Sequence, residues 1–206
     1  MIRKIKKYKL AVRPYGVLRH LKKQVTLESG REPQDSDLEA LIAKVQPHVA
    51  PCALYASYSR SETPPSLQDL WRSSPEKSLS LSVVCSTLGR PIEQEIERIS
   101  RKKEGGQVPS GPDPDYEGAL WNSVARESLE QSFNFVEKLI GEEADEESCV
   151  LSPLLPAAPA ETPLILQVLE SHKADIMLND SGQITPFFTG LRYCFWTPAK
   201  GVKPKK

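Results

Sequence analysis

The chain has 206 residues, 39% hydrophobic and 26% charged, which suits one domain able to bury a real core. Lys+Arg 27 cancels Asp+Glu 27, so no global field draws it to nucleic acid or to an anionic membrane. No apolar run reaches the roughly 18 residues that span a bilayer, and the basic N-terminus lacks the apolar stretch of a signal peptide, so a cytoplasmic protein is expected.

Charge is nevertheless laid out in blocks. Met1 to Val25 carries many Lys and Arg residues and no acid, and Lys200, Lys203, Lys205 and Lys206 form a basic tail. Glu142-Glu143-Ala144-Asp145-Glu146-Glu147 reads as an acidic loop. Such blocks are solvated surface or docking sites for a charged partner. Cys52, Cys85, Cys149 and Cys194 lie far apart without a C-x-x-C pair, which argues for reduced thiols and against a zinc site or a disulfide framework. His20, His48 and His172 are equally scattered and read as surface or boundary residues, so no metal is expected.

In chain order, the loose alternation of Ile2 to Val12 predicts an exposed edge strand. Arg13-Pro14 opens a short helix with Val17, Leu18 and Leu21 on its apolar stripe. Thr26 to Pro33 is a polar loop. Asp35 or Ser36 can cap a helix that buries Leu38, Leu41, Ile42 and Val45 and ends near Pro47. Cys52 to Tyr58 predicts a strand, and Ser59 to Lys77, rich in Pro and Ser, a loop. Leu79 to Cys85 has the alternation of a half-buried strand. Thr87-Leu88-Gly89 comes next, either a plain turn or a strand end of the kind where α/β folds hold ligands.

A helix from Pro91 buries Ile92, Ile96 and Ile99, and Gly105 to Pro114 is a Gly/Pro-rich connection. The longest periodic stretch runs from Asp115 to Ile140, where Leu120, Trp121, Val124, Leu129, Phe133, Val136 and Ile140 share one face; Asp115 can cap it and Gly141 end it. Cys149-Val150-Leu151 predicts a short strand, followed by four prolines between Pro153 and Pro163 that forbid helix. Thr162 to Ser171 is a short helix, Ile176 to Leu178 a strand, Asn179 to Gly182 a turn, and Leu191 to Trp196 a final strand. The fold class is α/β (α+β): a single domain, mixed or antiparallel sheet flanked by helices, over residues 1–199, with 200–206 as the basic tail.

Generic chemistry is thin. There is no phosphate loop, no G-x-G-x-x-G, no nucleophile elbow and no H-E-x-x-H. Asp113 and Asp115 could pair for acid/base work, but an Asp-Pro-Asp turn before a helix accounts for them.

The order of segments carries more. Pro14-Tyr15-Gly16-Val17-Leu18-Arg19-His20-Leu21 resembles the e-V-l-R-y-l-G opening of free-standing relatives of the activation (reactivation) domain of cobalamin-dependent methionine synthase. The acidic helix that ends near Pro51-x-Ala53-Leu54-Tyr55, the T-L-G at Thr87, and Asp115-Tyr116 leading a long helix are similar to the middle segments of those relatives. Ser152-Pro153-x-x-Pro156 and Ser181-x-x-x-x-Pro186 resemble that family's last half.

The resemblance implies a domain that binds S-adenosylmethionine and presents its methyl group to cob(II)alamin during reductive reactivation. It implies a ligand loop at Ser152, Pro153, Leu154, Leu155 and Pro156, with Ser181 and Pro186 beside it, no catalytic residue of its own, and a corrinoid (vitamin B12) carried by a partner. The family's R-x-x-x-G-Y is degenerate here. Its arginine falls on Val150, its glycine on Leu154 and its tyrosine on Leu155, which removes the cationic fork for the ligand carboxylate and the close backbone approach. Two functions are expected on this basis: an accessory protein of corrinoid methyl transfer that docks on a corrinoid protein or corrinoid methyltransferase and assists reactivation, or a non-catalytic interaction module that no longer binds S-adenosylmethionine.

Overall fold

The structure is a computed structural model and describes residues 1–25, 32–101 and 114–199. Its strands are β1 (Arg3–Lys6), β2 (Cys52–Ser59), β3 (Ser80–Thr87), β4 (Cys149–Leu151), β5 (Leu155–Pro156), β6 (Met177–Leu178), β7 (Ile184–Thr185) and β8 (Thr189–Pro198). Its α-helices are α1 (Pro14–Leu21), α2 (Asp35–Val45), α3 (Arg90–Arg101), α4 (Pro114–Glu146) and α5 (Thr162–Val168). The main sheet runs β1-β2-β3-β8-β4 with β5 also paired to β8, every pairing antiparallel. A small β6-β7 hairpin stands apart from it.

β3 lies at the centre of the sheet and is covered on both sides, not half-buried as its alternation suggests. Leu81, Val83 and Cys85 join one core, and Val84 joins another. The alternate serines are polar, yet their burial is tolerated because each finds a partner. Ser82 bonds Ser57 at 2.7 Å and accepts from Trp196 Nε1 at 2.7 Å, while Ser86 meets Ser132 of α4.

On the first face, Leu54, Leu81, Val83, Leu191 and Phe195 pack under α5 and a 3-10 helix at Pro65–Ser73. That 3-10 helix replaces the loop expected at Ser59 to Lys77. Pro64-Pro65 opens it, and Leu67, Leu70 and Trp71 turn inward at the i, i+3, i+4 spacing of one helical face. On the opposite face, Phe133, Val136 and Ile140 of α4 cover Tyr55, Val84, Cys194 and Trp196. The N-terminal half of α4 uses Trp121, Val124 and Ala125 to gather Val17, Leu38, Val45, Ile92 and Ile99 from α1, α2 and α3. Each such side chain contributes on the order of 1.5–3 kcal/mol through burial.

Several boundaries differ from the sequence reading. α4 passes through Gly141 and ends at Glu146, because the fully buried Ala144 extends the apolar face one turn beyond Ile140. The acidic run is therefore mostly helix, and Ser148 at φ 60° makes the turn into β4. Glu143 within it is held by Arg3 at 2.6 Å and by the Tyr55 hydroxyl at 2.7 Å. β1 covers only Arg3–Lys6, and Lys7 at φ 57° ends it. α2 is capped at Gln34, whose N–H donates to Asp37 Oδ2 at 3.1 Å, in place of Asp35 or Ser36. α5 stops at Val168, and a 3-10 turn over Ser171–Ala174 comes after it; β7 has no counterpart in the sequence reading. Most of the expected loop at Thr26 to Pro33, nearly all of the connection at Gly105 to Pro114, Asp113, the side chain of Asp115 and the basic tail lie outside the described residues. Among the described residues no helix is long and apolar enough to cross a membrane.

Candidate functional site

The loop implied by the resemblance is stitched along β8. Ser152 N–H donates to the Phe195 carbonyl at 2.8 Å, Phe195 N–H returns to Ser152 Oγ at 3.0 Å, and Ala157 N–H reaches the Leu191 carbonyl at 3.0 Å. Leu155 stands across from Tyr193 and packs into the first core, while Leu154 packs into the α4-side core. The two leucines thus leave the strand on opposite faces, as successive residues of an extended chain must. Val150, in β4 opposite Thr197, is exposed, as are Pro153 and Pro156.

Ser181 and Pro186 sit elsewhere. Ser181 is in the tip of the β6-β7 hairpin, where Asn179 Oδ1 accepts from Ser181 N–H at 3.0 Å, Ser181 Oγ–H at 2.7 Å and Gln183 N–H at 2.9 Å. Pro186 is buried and lines a cleft of about 610 Å³. None of Ser152, Pro153, Leu154, Leu155 and Pro156 borders this cleft, so the structure separates the seven expected site residues into three places.

The cleft opens where β1 ends, β2 begins and β3 runs into α3. Lys6, Lys7 and Arg90 bring three cationic groups to it, against the single carboxylate of Asp175. Thr87 and Gly89 of the T-L-G segment form its wall. Thr87 Oγ1 accepts from Gly89 N–H at 3.1 Å and from Thr189 Oγ1 at 2.8 Å. Gly89 has φ +77°, and a β-carbon there would press on Ala50 at 3.2 Å, so the turn requires glycine. The segment is a tight turn at the end of β3, and that turn borders the cleft.

The lining offers cationic groups but no activated nucleophile. Its thiol, Cys52, is pushed above the usual range by burial, an effect that Lys4 and Lys6 only partly offset. It therefore stays protonated at neutral pH and makes a poor nucleophile. Glu93, at the start of α3, accepts the Phe187 N–H; burial, then Glu97, raises its carboxyl above the ordinary value. A second cavity of about 360 Å³ lies between residues 7–12 and α2, walled by Leu10, Val12, Ile42, Val49 and Val124. It is largely apolar and carries no paired acid and base.

No protein-family model matches the chain, and no curated protein does. Among solved structures it is similar to the reactivation domain of MetH, in a crystal structure bound to AdoHcy, with a TM-score of 0.55 at 11% identity. The match covers 99% of this chain and 81% of that one. The chain has the reactivation-domain fold. At 11% identity the fold is what the two share. Within it, the segment at Ser152 to Pro156 lies along the outer side of β8 with half-buried leucines packed against two cores, and the open cavity lies at the ends of β1, β2 and β3.

Proposed function

We propose that this protein is an accessory factor of corrinoid methyl-transfer metabolism that docks on a corrinoid-carrying protein and does not itself bind S-adenosylmethionine. The observation that carries the reading is the reactivation-domain fold spanning 99% of the chain, since in MetH that fold is the reactivation unit. The partner supplies the corrinoid, and this chain supplies surface. Two charged faces suit docking: the exposed Lys4, Lys6, Lys7 and Lys9 of the first strand and its exit, and the acidic end of α4, joined where Arg3 pairs with Glu143. Charge complementarity of this kind governs encounter rate and orientation more than final affinity. Four reduced, buried thiols fit a cytoplasmic setting.

The interaction-module form of the proposal is favoured over a working reactivase by Leu154 and Leu155. Their half-buried side chains pack against two different cores, so a ligand at that loop would have to displace both. The test is retention of the purified chain on an immobilised corrinoid-binding domain of a methyltransferase, loaded with cobalamin. Retention that falls with added salt and in Lys6→Glu/Lys7→Glu supports docking. Failure to be retained by either the cobalamin-loaded or the empty domain overturns it.

A further inference from the structure

A polar cluster lies where α1 crosses α4, away from the cleft and the charged docking faces. Glu127 and Glu130 stand one turn apart on α4, and His20 faces them from α1. The Glu127 side chain is only 3% exposed. Its Oε1 accepts from Gln131 Nε2 at 2.7 Å, whereas its Oε2 has no hydrogen-bond partner among the described residues. A buried carboxylate oxygen without a hydrogen bond is costly, and the partly exposed Arg19 guanidinium 3.5 Å away offsets that cost only in part. Gly16 supplies the room, because a β-carbon there would overlap the Glu127 carboxylate.

The spacing of the donor atoms suits a metal. His20 Nε2 lies 3.1 Å from Glu130 Oε2 and 3.6 Å from Glu127 Oε2. Ligand atoms at about 2.0–2.2 Å from a tetrahedral Zn2+ are about 3.3–3.6 Å apart, close to those two values. We infer that His20, Glu127 and Glu130 form a binding site for a divalent first-row transition metal such as Zn2+, with a water as fourth ligand. Two carboxylates balance the charge of the ion, and imidazole with carboxylate oxygens suits Zn2+ better than Mg2+ or Ca2+. Gln131 orients Glu127 from behind, as outer-shell groups do at metal sites. In the sequence Glu127 and Glu130 are spaced i, i+3 on one helix, but only the α1–α4 crossing brings His20 to them.

Arg19 is the competing cation. Its guanidinium pairs with Glu130 and lies 3.5 Å from Glu127 Oε2, yet the side chain is 44% exposed and can swing into solvent. A metal site and a mere ion-pair network therefore predict opposite effects of removing Arg19. Loss of the competitor tightens metal binding, whereas an ion-pair network has no metal affinity to tighten.

The chelator-washed full chain is titrated with Zn2+ alone by calorimetry and with Co2+ by visible absorption. One saturable equivalent and tetrahedral Co2+ bands are expected. His20→Ala and Glu130→Gln should each weaken binding by more than the roughly 10–100-fold typical of losing an outer-shell partner. Arg19→Gln should strengthen it by up to about fivefold, the size expected from removing one partly exposed ion-pair competitor of up to about 1 kcal/mol. Circular dichroism and melting of each variant establish that it is folded. Absence of one-equivalent binding, or binding unchanged in His20→Ala, overturns the site. Should the ligand variants fail to fold, Arg19→Gln decides: tighter binding upholds the site, and equal or weaker binding overturns it.

Discussion

The Glu127 carboxylate rests directly over the α-carbon of Gly16, in the space that any side chain at that position would fill. A side chain at this point would have to push the carboxylate end of Glu127 aside, out of its buried seat between α1 and α4. Gly16→Ala should destabilise the fold by about 1–3 kcal/mol, the usual range for forcing extra atoms into a packed site. Helix propensity alone favours alanine by about 1 kcal/mol, so the steric effect must outweigh it to give this sign. Gly118→Ala in α4 is the control. A β-carbon there meets nothing within 4 Å, and this change should be neutral or stabilising by up to about 1 kcal/mol. Urea midpoints of the two variants compare them directly, and a stable Gly16→Ala protein would show that the α1–α4 contact can relax.

Ser82 and Trp196 give a second test. The indole N–H of Trp196 donates to Ser82 Oγ at 2.7 Å inside the α4-side core, and Ser57 shares that oxygen. Ser82→Ala removes the acceptor and leaves a buried donor unpaired, so a loss of about 1–3 kcal/mol is expected despite the smaller, more apolar side chain. The checking measurement is chemical denaturation of Ser82→Ala beside Ser61→Ala, whose serine is exposed. Equal stabilities would mean that the indole finds another partner.

The packing helices were readable because their apolar residues recur on one face. Trp121, Val124, Phe133, Val136 and Ile140 form one stripe, and the same residues cover the sheet in the fold. The Leu79 to Cys85 alternation likewise marked a strand. It did not reveal burial of both faces, because Ser82 and Ser86 look solvent-facing until Trp196 and Ser132 are placed beside them. The Pro65–Ser73 helix was hidden by the prolines that open it. At the candidate sites, the T-L-G turn pointed to the cleft, whereas Lys6, Arg90 and Pro186 reach it only through sheet pairing. His20 gave no sign in the sequence of its meeting with Glu127, since such a meeting is a property of helix packing and not of spacing.

The buried thiols set the alkaline limit of stability. Burial, reinforced by Glu137, pushes the Cys194 thiol from 9.0 up to about 12, and burial raises Cys85 further still. Burial and the bond to Glu143 push the Tyr55 hydroxyl from 10.0 up to about 12. In each case the folded value stands above the unfolded one, so the folded chain holds its proton longer. The contribution is complete below about pH 9 and disappears as pH rises through about 12. Denaturant midpoints should hold steady near neutrality and fall steadily above pH about 9, with a shallower fall in Cys194→Ala. At neutral pH the four thiols should resist a disulfide reagent in the native chain and all react after unfolding. Rapid native labelling of Cys85 or Cys194 would contradict this.

The loop at β5 is poorly equipped to hold S-adenosylmethionine. Val150 stands where the family resemblance places an arginine, and it offers no charge-assisted bond to a carboxylate, an interaction of about 1.5–3 kcal/mol. Leu154 and Leu155 then fill the space on both sides of the strand, and Ser152 is fully engaged with the Phe195 backbone. Calorimetry should therefore detect no binding tighter than a Kd of roughly 100 μM, a free energy of only about −5.5 kcal/mol. The triple change Val150→Arg, Leu154→Gly, Leu155→Tyr separates two causes of that weakness. If missing groups alone were responsible, the variant would bind measurably. The packing argues otherwise: Leu154→Gly empties part of the α4-side core, Leu155→Tyr must fit opposite Tyr193, and cavity formation with overpacking should lower stability by about 2–5 kcal/mol. The expected result is a less stable triple variant with binding still weak. Micromolar binding by the unmodified chain would remove the basis for a docking role without ligand and move the reading toward a working reactivase.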